Sequence, residues 1–364
     1  MRRNTLIVSI VLLASLVAAI SGCVISPRII PGQPTPTPTA TPVPTGTPTP
    51  SPTPTPTPIP PTTFGKLYVT NQARNSILRF DNALAATGNQ APTEITSTAL
   101  DQPQFIALDT AADRLYVADP TNGSVLVFDG ISTAISPISP TRTISGATTQ
   151  LVTPSSVALD TTHDLLYVAD GTDIEVFQAS TADATQAPAR DIQLGSTIQI
   201  QQIFLDTVND RLFVSDATNT AIDIFDGAGG LNGPTTPART LTGNLTLLSK
   251  PSGMTIDPSG NLVVTNFGNG SITIYSNAAT VTGNQAPASV ISGAATNLSS
   301  PVQIIQSSAA NEVYVADSAG AVLVFSGIAG LSGPASPARS ITGPATLLSG
   351  TPAGARGVAL DPTR

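Results

Sequence analysis

Residues 355–364 read ARGVALDPTR, and within them GVALD (357–361) opens a unit that the chain leaves unfinished. Elsewhere the same opening is completed. QFIALD (104–109) and SSVALD (155–160) are each followed by a second apolar strand, DRLYVAD and DLLYVAD. The first unit has the opposite defect: GKLYVTN (65–71) has the second strand and no ALD strand before it. Written head to tail, the two ends give GVALDPTR-FGKLYVTN with ordinary spacing. The C-terminal segment is therefore expected to supply the innermost strand of the first unit, closing a ring and removing exposed sheet edges.

Working outward, the second strand recurs as LYVTN (67–71), LYVAD (115–119), LYVAD (166–170), LFVSD (212–216), LVVTN (262–266) and VYVAD (313–317). A third strand follows within ten residues, as in SILRFDN (76–82), SVLVFDG (124–130) and DIEVFQA (173–179). A fourth follows a Pro-rich turn, as in PTRTISG, PARDIQL and PARTLTG, with a divergent first copy, PTEITST (92–98). Alternating β-branched runs separated by Gly, Asn and Asp are the hairpin signal. Proline at the start of the fourth strand suits an outer edge. Four antiparallel strands per unit, repeated radially, predict an all-β, six-bladed β-propeller over residues 64–364. A solenoid would need distinct capping repeats, and none is present.

The pattern x-x-ALD…LYVAD…N-x-[SI]-x-VF resembles NHL-type and YVTN-type propeller repeats, and residues 68–71 spell YVTN. The resemblance spans the six units. It implies the fold and leaves the activity open, because such propellers include binding modules, lyases and lactonases.

In a blade of this kind, the link into the innermost strand and the link after the second strand share one face. The first is expected to bring Gln104, Ser155, Gln201, Gln202, Ser252, Gln303 and Arg356 to the channel mouth. The second adds Asn71, Asp119, Asp170, Asp216, Asn266 and Asp317. Such a ring could hold a sugar, a polar small molecule or Ca²⁺, which takes oxygen ligands. The structural alternative is that each Asp or Asn caps its own hairpin. Asp109, Asp160, Asp206, Asp257 and Asp361 are expected to shape the turn on the opposite face, where the only histidine, His163, also falls. A metal lyase site would need clustered His or carboxylates, and one His on that face does not supply them. No G-x-S-x-G elbow is present, and the Gly-rich loops at 227–234 and 327–334 lack the helix and Lys of a phosphate cradle. Arg142, Arg190, Arg239 and Arg339 recur on the outermost strand and are expected to be exposed, either stabilising the strand or forming a circumferential binding stripe.

The N-terminus carries an address. Arg2 and Arg3 precede an apolar run from Leu6 to Ile20, ending in Ile20-Ser21-Gly22-Cys23. These four residues resemble the lipobox of bacterial lipoproteins, in which the Cys becomes the lipid-bearing first residue. An uncleaved anchor is the alternative. The resemblance implies a signal peptide at 1–22 and lipidation at Cys23, the only cysteine. Residues 23–63 then form a tether whose Pro/Thr-rich part spans 31–63. Proline forbids helix and ladder there, so polyproline II is expected, reaching on the order of 100 Å.

All 23 acidic residues and 12 of the 15 Lys and Arg lie beyond residue 63, so the domain is strongly acidic. That excludes nucleic acid, whose phosphates need a basic surface. The expectation is a cell-envelope lipoprotein, its domain extracytoplasmic. It would be a non-enzymatic module binding an envelope protein or glycan, attached to the membrane through lipid, with no cofactor unless Ca²⁺ sits at the mouth. The competing reading is a metal-assisted lyase or lactonase of streptogramin-lyase-like type at the same mouth.

Overall fold

The structure, a computed structural model, describes residues 65–307, 310–349 and 354–364. The expected signal peptide (1–22), Cys23 and the expected tether (23–63) lie outside the described residues.

Six sheets of antiparallel strands are arranged as blades around one axis. Each second strand is an alternating run whose central residue is fully buried: Tyr68, Tyr116, Tyr167, Phe213, Val263 and Tyr314 are all at most 1 % exposed. Side chains of successive residues leave opposite faces of a strand, so each blade presents apolar groups to both neighbours. Six apolar clusters result, one between each adjacent pair of blades. Each buried aromatic contributes roughly 1.5–3 kcal/mol relative to exposure.

Blade 1 is built from both ends of the domain. Ala355–Asp361 pairs with Lys66–Asn71, which pairs in turn with Ser76–Asp81 and Thr93–Thr96. The register sets Leu67 against Leu360, Tyr68 against Ala359 and Val69 against Val358. ARGVALD is thus the innermost strand of the first blade. Blade 3 gains a short fifth strand, Gly233–Pro234, lying parallel to Arg190–Gln193.

The innermost strands begin earlier than the apolar pattern suggests, at Pro154, Ile200, Pro251, Pro301 and Ala355. Each carries an irregularity that fits an extra residue opposite its partner. Most of the polar residues assigned to the incoming link therefore lie inside strands. Gln104 stands just ahead of Ile106–Asp109, its N–H bonded to Ala118 O at 2.9 Å.

The recurring arginines are not exposed. Each guanidinium reaches carbonyls in the turn of the next blade: Arg142 to Ala179 and Ala182, Arg190 to Ala228 and Leu231, Arg239 to Ala278 and Ala279, Arg339 to Ala83 and Ala86. The planar fork suits paired acceptors. Blade 1 has Thr93 at the arginine position, and Arg79, directly opposite it, donates to Ile131 O and Ala134 O instead. The arginines clamp blade to blade, which leaves no free stripe.

Candidate functional site

The bulges decide which polar groups reach the mouth. At the bulge five innermost strands offer an outer residue (Ser155, Gln201, Ser252, Val302, Arg356), and Gln104 takes the equivalent position just ahead of Ile106–Asp109. The next residue points into the wall (Phe105, Ser156, Gln202, Gly253, Gln303, Gly357).

The inward set forms a hydrogen-bonded belt around the axis. Ser156 Oγ accepts from Ile203 N, and Gln202 Oε1 from Met254 N at 3.0 Å. Gln303 spans two blades: its Oε1 accepts from Val358 N at 2.9 Å, and its Nε2 donates to Ile106 O at 3.1 Å. Blades 5 and 1 solve the same problem with a Gly and a Thr. Thr265 Oγ1 accepts from Gly253 N and donates to Val302 O; Thr70 Oγ1 accepts from Gly357 N and donates to Gln104 O. A Cβ on Gly357 would stand 2.5 Å from Gln104 O, so Gly is required where the hydroxyl bridges. This explains why YVTN and VVTN replace YVAD in these blades. Gln202 and Gln303 are therefore 3 % and 5 % exposed, their side chains engaged with backbone.

The Asp and Asn residues ending the second strands are likewise turned inward. Asp119 accepts from Asp101 N, and Asp170 from Val152 N and Thr153 N. Asp216 accepts from Gln199, Thr218 and Asn219 N–H groups, and Asp317 from Ser299, Ser300 and Ala319. Asn266 accepts from Ser249 N, and Asn71 donates to Leu347 O. In the four Asp blades and blade 5, one side chain pins the segment entering the same blade. On the opposite face Asp160 caps its turn and bonds the exposed His163 ring at 2.7 Å.

The central channel encloses a cavity of about 280 Å³ lined by all six innermost strands. Its walls are aliphatic apart from Phe204, Thr255, Gln202, Gln303 and Gln306, and among the described residues no ionisable side chain lines it.

Above it, at the mouth, lies a pocket of about 310 Å³ formed by Gln199, Gln201, Ala217, Lys250, Ser252, Phe267 and Arg356. Of the residues expected at the mouth, it unites Gln201, Ser252 and Arg356, while Gln104 and Ser155 sit at the same level outside it. Arg356 comes from blade 1 and Gln201 from blade 4, on opposite sides of the ring. Burial pulls the Arg356 guanidinium below its ordinary pKa, and its Nε is buried without a hydrogen-bond partner among the described residues. Among the described residues, Lys250 and Arg356 alone of the Lys and Arg have neither an ion pair nor a side-chain hydrogen bond. Lys250 and Phe267 escape sequence reasoning because they belong to turns. Lys250 has a positive φ of 45°, and its carbonyl accepts from Phe267 N, which sets both beside the mouth. Two cations do not suit Ca²⁺ there, and no group of three His, Cys, Asp or Glu stands at metal-ligand spacing among the described residues.

Residues 248–275 match the family model described as NHL repeat. No curated protein sequence matches the chain. Among solved structures, a protein of unknown function from Desulfotomaculum acetoxidans DSM 771 is 15% identical with a TM-score of 0.52, over 76% of this chain and 80% of that one. A chain of a nidogen/laminin complex is 17% identical with a TM-score of 0.54, over 81% of this chain and 98% of that one. At these identities the likeness is one of fold: the chain is a six-bladed propeller carrying an NHL-type repeat.

Proposed function

We propose that this protein is a non-catalytic binding module, held at the cell envelope by lipid on Cys23, whose mouth pocket takes a carboxylate-bearing sugar of an envelope glycan. One observation carries the reading: the two Lys/Arg side chains without partners among the described residues, Lys250 and Arg356, line one pocket. A buried cation without a counter-charge is costly, and a ligand carboxylate would offset that cost with charge-assisted hydrogen bonds. Phe267 offers an apolar face for a sugar ring, and Gln199, Gln201 and Ser252 offer donors and acceptors for hydroxyls.

The lyase or lactonase reading has less to draw on. The pocket's ionisable groups are both cations and the channel has none, so a general base would have to come from elsewhere. A fold like this one also occurs in the nidogen/laminin complex, so the scaffold is compatible with protein ligands. The test is a glycan array probed with the purified chain. Binding restricted to uronate-type sugars and lost in Arg356→Ala supports the proposal. Binding only to neutral sugars, or only to envelope proteins, contradicts it. Radiolabelled fatty acid incorporation that survives Cys23→Ser would remove the anchor.

A further inference from the structure

Blade 3 departs from the repeat at one corner. The third strand places Glu175 where the other blades have Leu78, Leu126, Asp223, Thr273 and Leu323. Asp223, the other acid of this set, is paired with Thr240 Oγ1 at 2.6 Å. Glu175 has no such partner among the described residues. Directly opposite it across the sheet stands Asp191, and two residues along, Asp173 stands opposite Asp170. Like charges facing each other across strands destabilise a sheet, so this block of four carboxylates is unfavourable for folding alone.

The four line one cavity of about 390 Å³ between blades 2 and 3, with Gln150, Val152, Thr153, Gly171 and Thr172. Among the described residues no Lys or Arg lines it. Glu175 is 4 % exposed, and among the described residues its Oε2 is buried without a hydrogen-bond partner, as is Asp191 Oδ1. The carboxylates line the cavity from the blade 3 side without converging: among the described residues no three stand at metal-ligand spacing. A bare ion needs oxygens at about 2.3–2.6 Å on several sides. A guanidinium or ammonium group is larger and satisfies separated carboxylates through several N–H donors.

From this we infer that the blade 2–3 cavity is a second binding site, separate from the mouth pocket, that takes an organic cation, the guanidinium or ammonium group of a basic ligand. The site is independent of the glycan reading. Burial, then the negative charge of Asp170 on the second strand, Asp191 on the outermost strand and Asp173 on its own strand, holds the Glu175 carboxyl up at about 8. The segment 150–153 that covers it carries no charge. At neutral pH the empty site is therefore largely protonated at Glu175, and a bound cation displaces that proton into solvent.

The experiment is calorimetric titration of the full-length chain at pH 7 with spermidine, with short Arg- or Lys-containing peptides, and with CaCl₂. The variants are Glu175→Leu, the residue of three sister blades, and Arg356→Ala as a control. The expected result is saturable binding of an organic cation. It should release a proton, be weakened at least tenfold by Glu175→Leu, and be unchanged by Arg356→Ala. Preference for spermidine or for a peptide then identifies the source of the cation. Glu175→Leu should also raise the melting temperature of the unliganded protein, which distinguishes a lost site from a lost fold. Saturable binding of Ca²⁺ alone, organic-cation binding that survives Glu175→Leu, or no binding at all overturns the inference.

Discussion

Arg356 of blade 1 and Gln201 of blade 4 line the same pocket although their strands stand on opposite sides of the ring. Both occupy the outer position of a bulge, and the bulge aims each of them at the axis rather than along the wall. The pocket thus depends on ring closure, because Arg356 lies on the strand that completes blade 1. Closure and the mouth pocket are linked through one segment of ten residues.

Removing residues 355–364 is expected to open the ring. Lys66–Asn71 would lose its neighbour, and Ala355, Val358 and Ala359 would leave the clusters that join blade 1 to blades 6 and 2. Unpaired edges associate. Light scattering should show oligomers, and the melting temperature should fall. A truncated chain that stays monomeric with unchanged melting contradicts the closure argument.

Gln303→Leu is expected to cost about 2–4 kcal/mol, because it strands the buried Val358 N–H and Ile106 carbonyl together. Ser155→Ala, at an outer bulge position, should cost less than about 0.5 kcal/mol. Urea denaturation of both variants measures the difference.

Much of this is legible in the residues alone. GVALD and GKLYVTN each lack what the other supplies, and strand alternation placed the central tyrosines in the core. The separation of mouth from wall was not legible, because a bulge is a one-residue change in pairing with no composition of its own. Gln201 and Gln202 are adjacent and alike, yet one lines the pocket and the other staples blade 4 to blade 5. The arginines misled for a related reason. Their outer-strand position suggested solvent, while their length carries the guanidinium to the next blade's turn. Lys250 and Phe267 had no repeat pattern to announce them.

Arg339→Lys keeps the charge and loses the fork. The arginine holds Ala83 O, Ala86 O, Glu312 and Tyr314 at the seam between blades 6 and 1. A loss of about 1–2 kcal/mol is expected from the missing charge-assisted bonds. Thermal melting compared with Arg74→Lys, an exposed pair with Glu94, checks that the effect belongs to the seam.

Stability should fall as pH rises from about 5 to 8. The Glu175 carboxyl is raised to about 8 in the folded chain from an ordinary value of 4.5. The folded state therefore binds the proton more tightly across that window. Its contribution is fully present below the ordinary value and is lost as pH passes the raised one. Glu175→Leu should flatten this part of the pH profile. A variant as pH-sensitive as the parent contradicts the assignment.

In the proposed function the mouth pocket binds an acidic sugar through Lys250 and Arg356, the two Lys/Arg side chains without partners among the described residues. The most direct measurement is the dissociation constant for a uronate-containing oligosaccharide, taken on the parent chain and on Lys250→Ala/Arg356→Ala. A loss of at least a hundredfold is predicted, with steep weakening in salt and melting no lower than the parent's, since an uncompensated buried cation is removed. Equal affinity in the two proteins, or binding that ignores the carboxylate when the sugar is reduced to its neutral form, would contradict it.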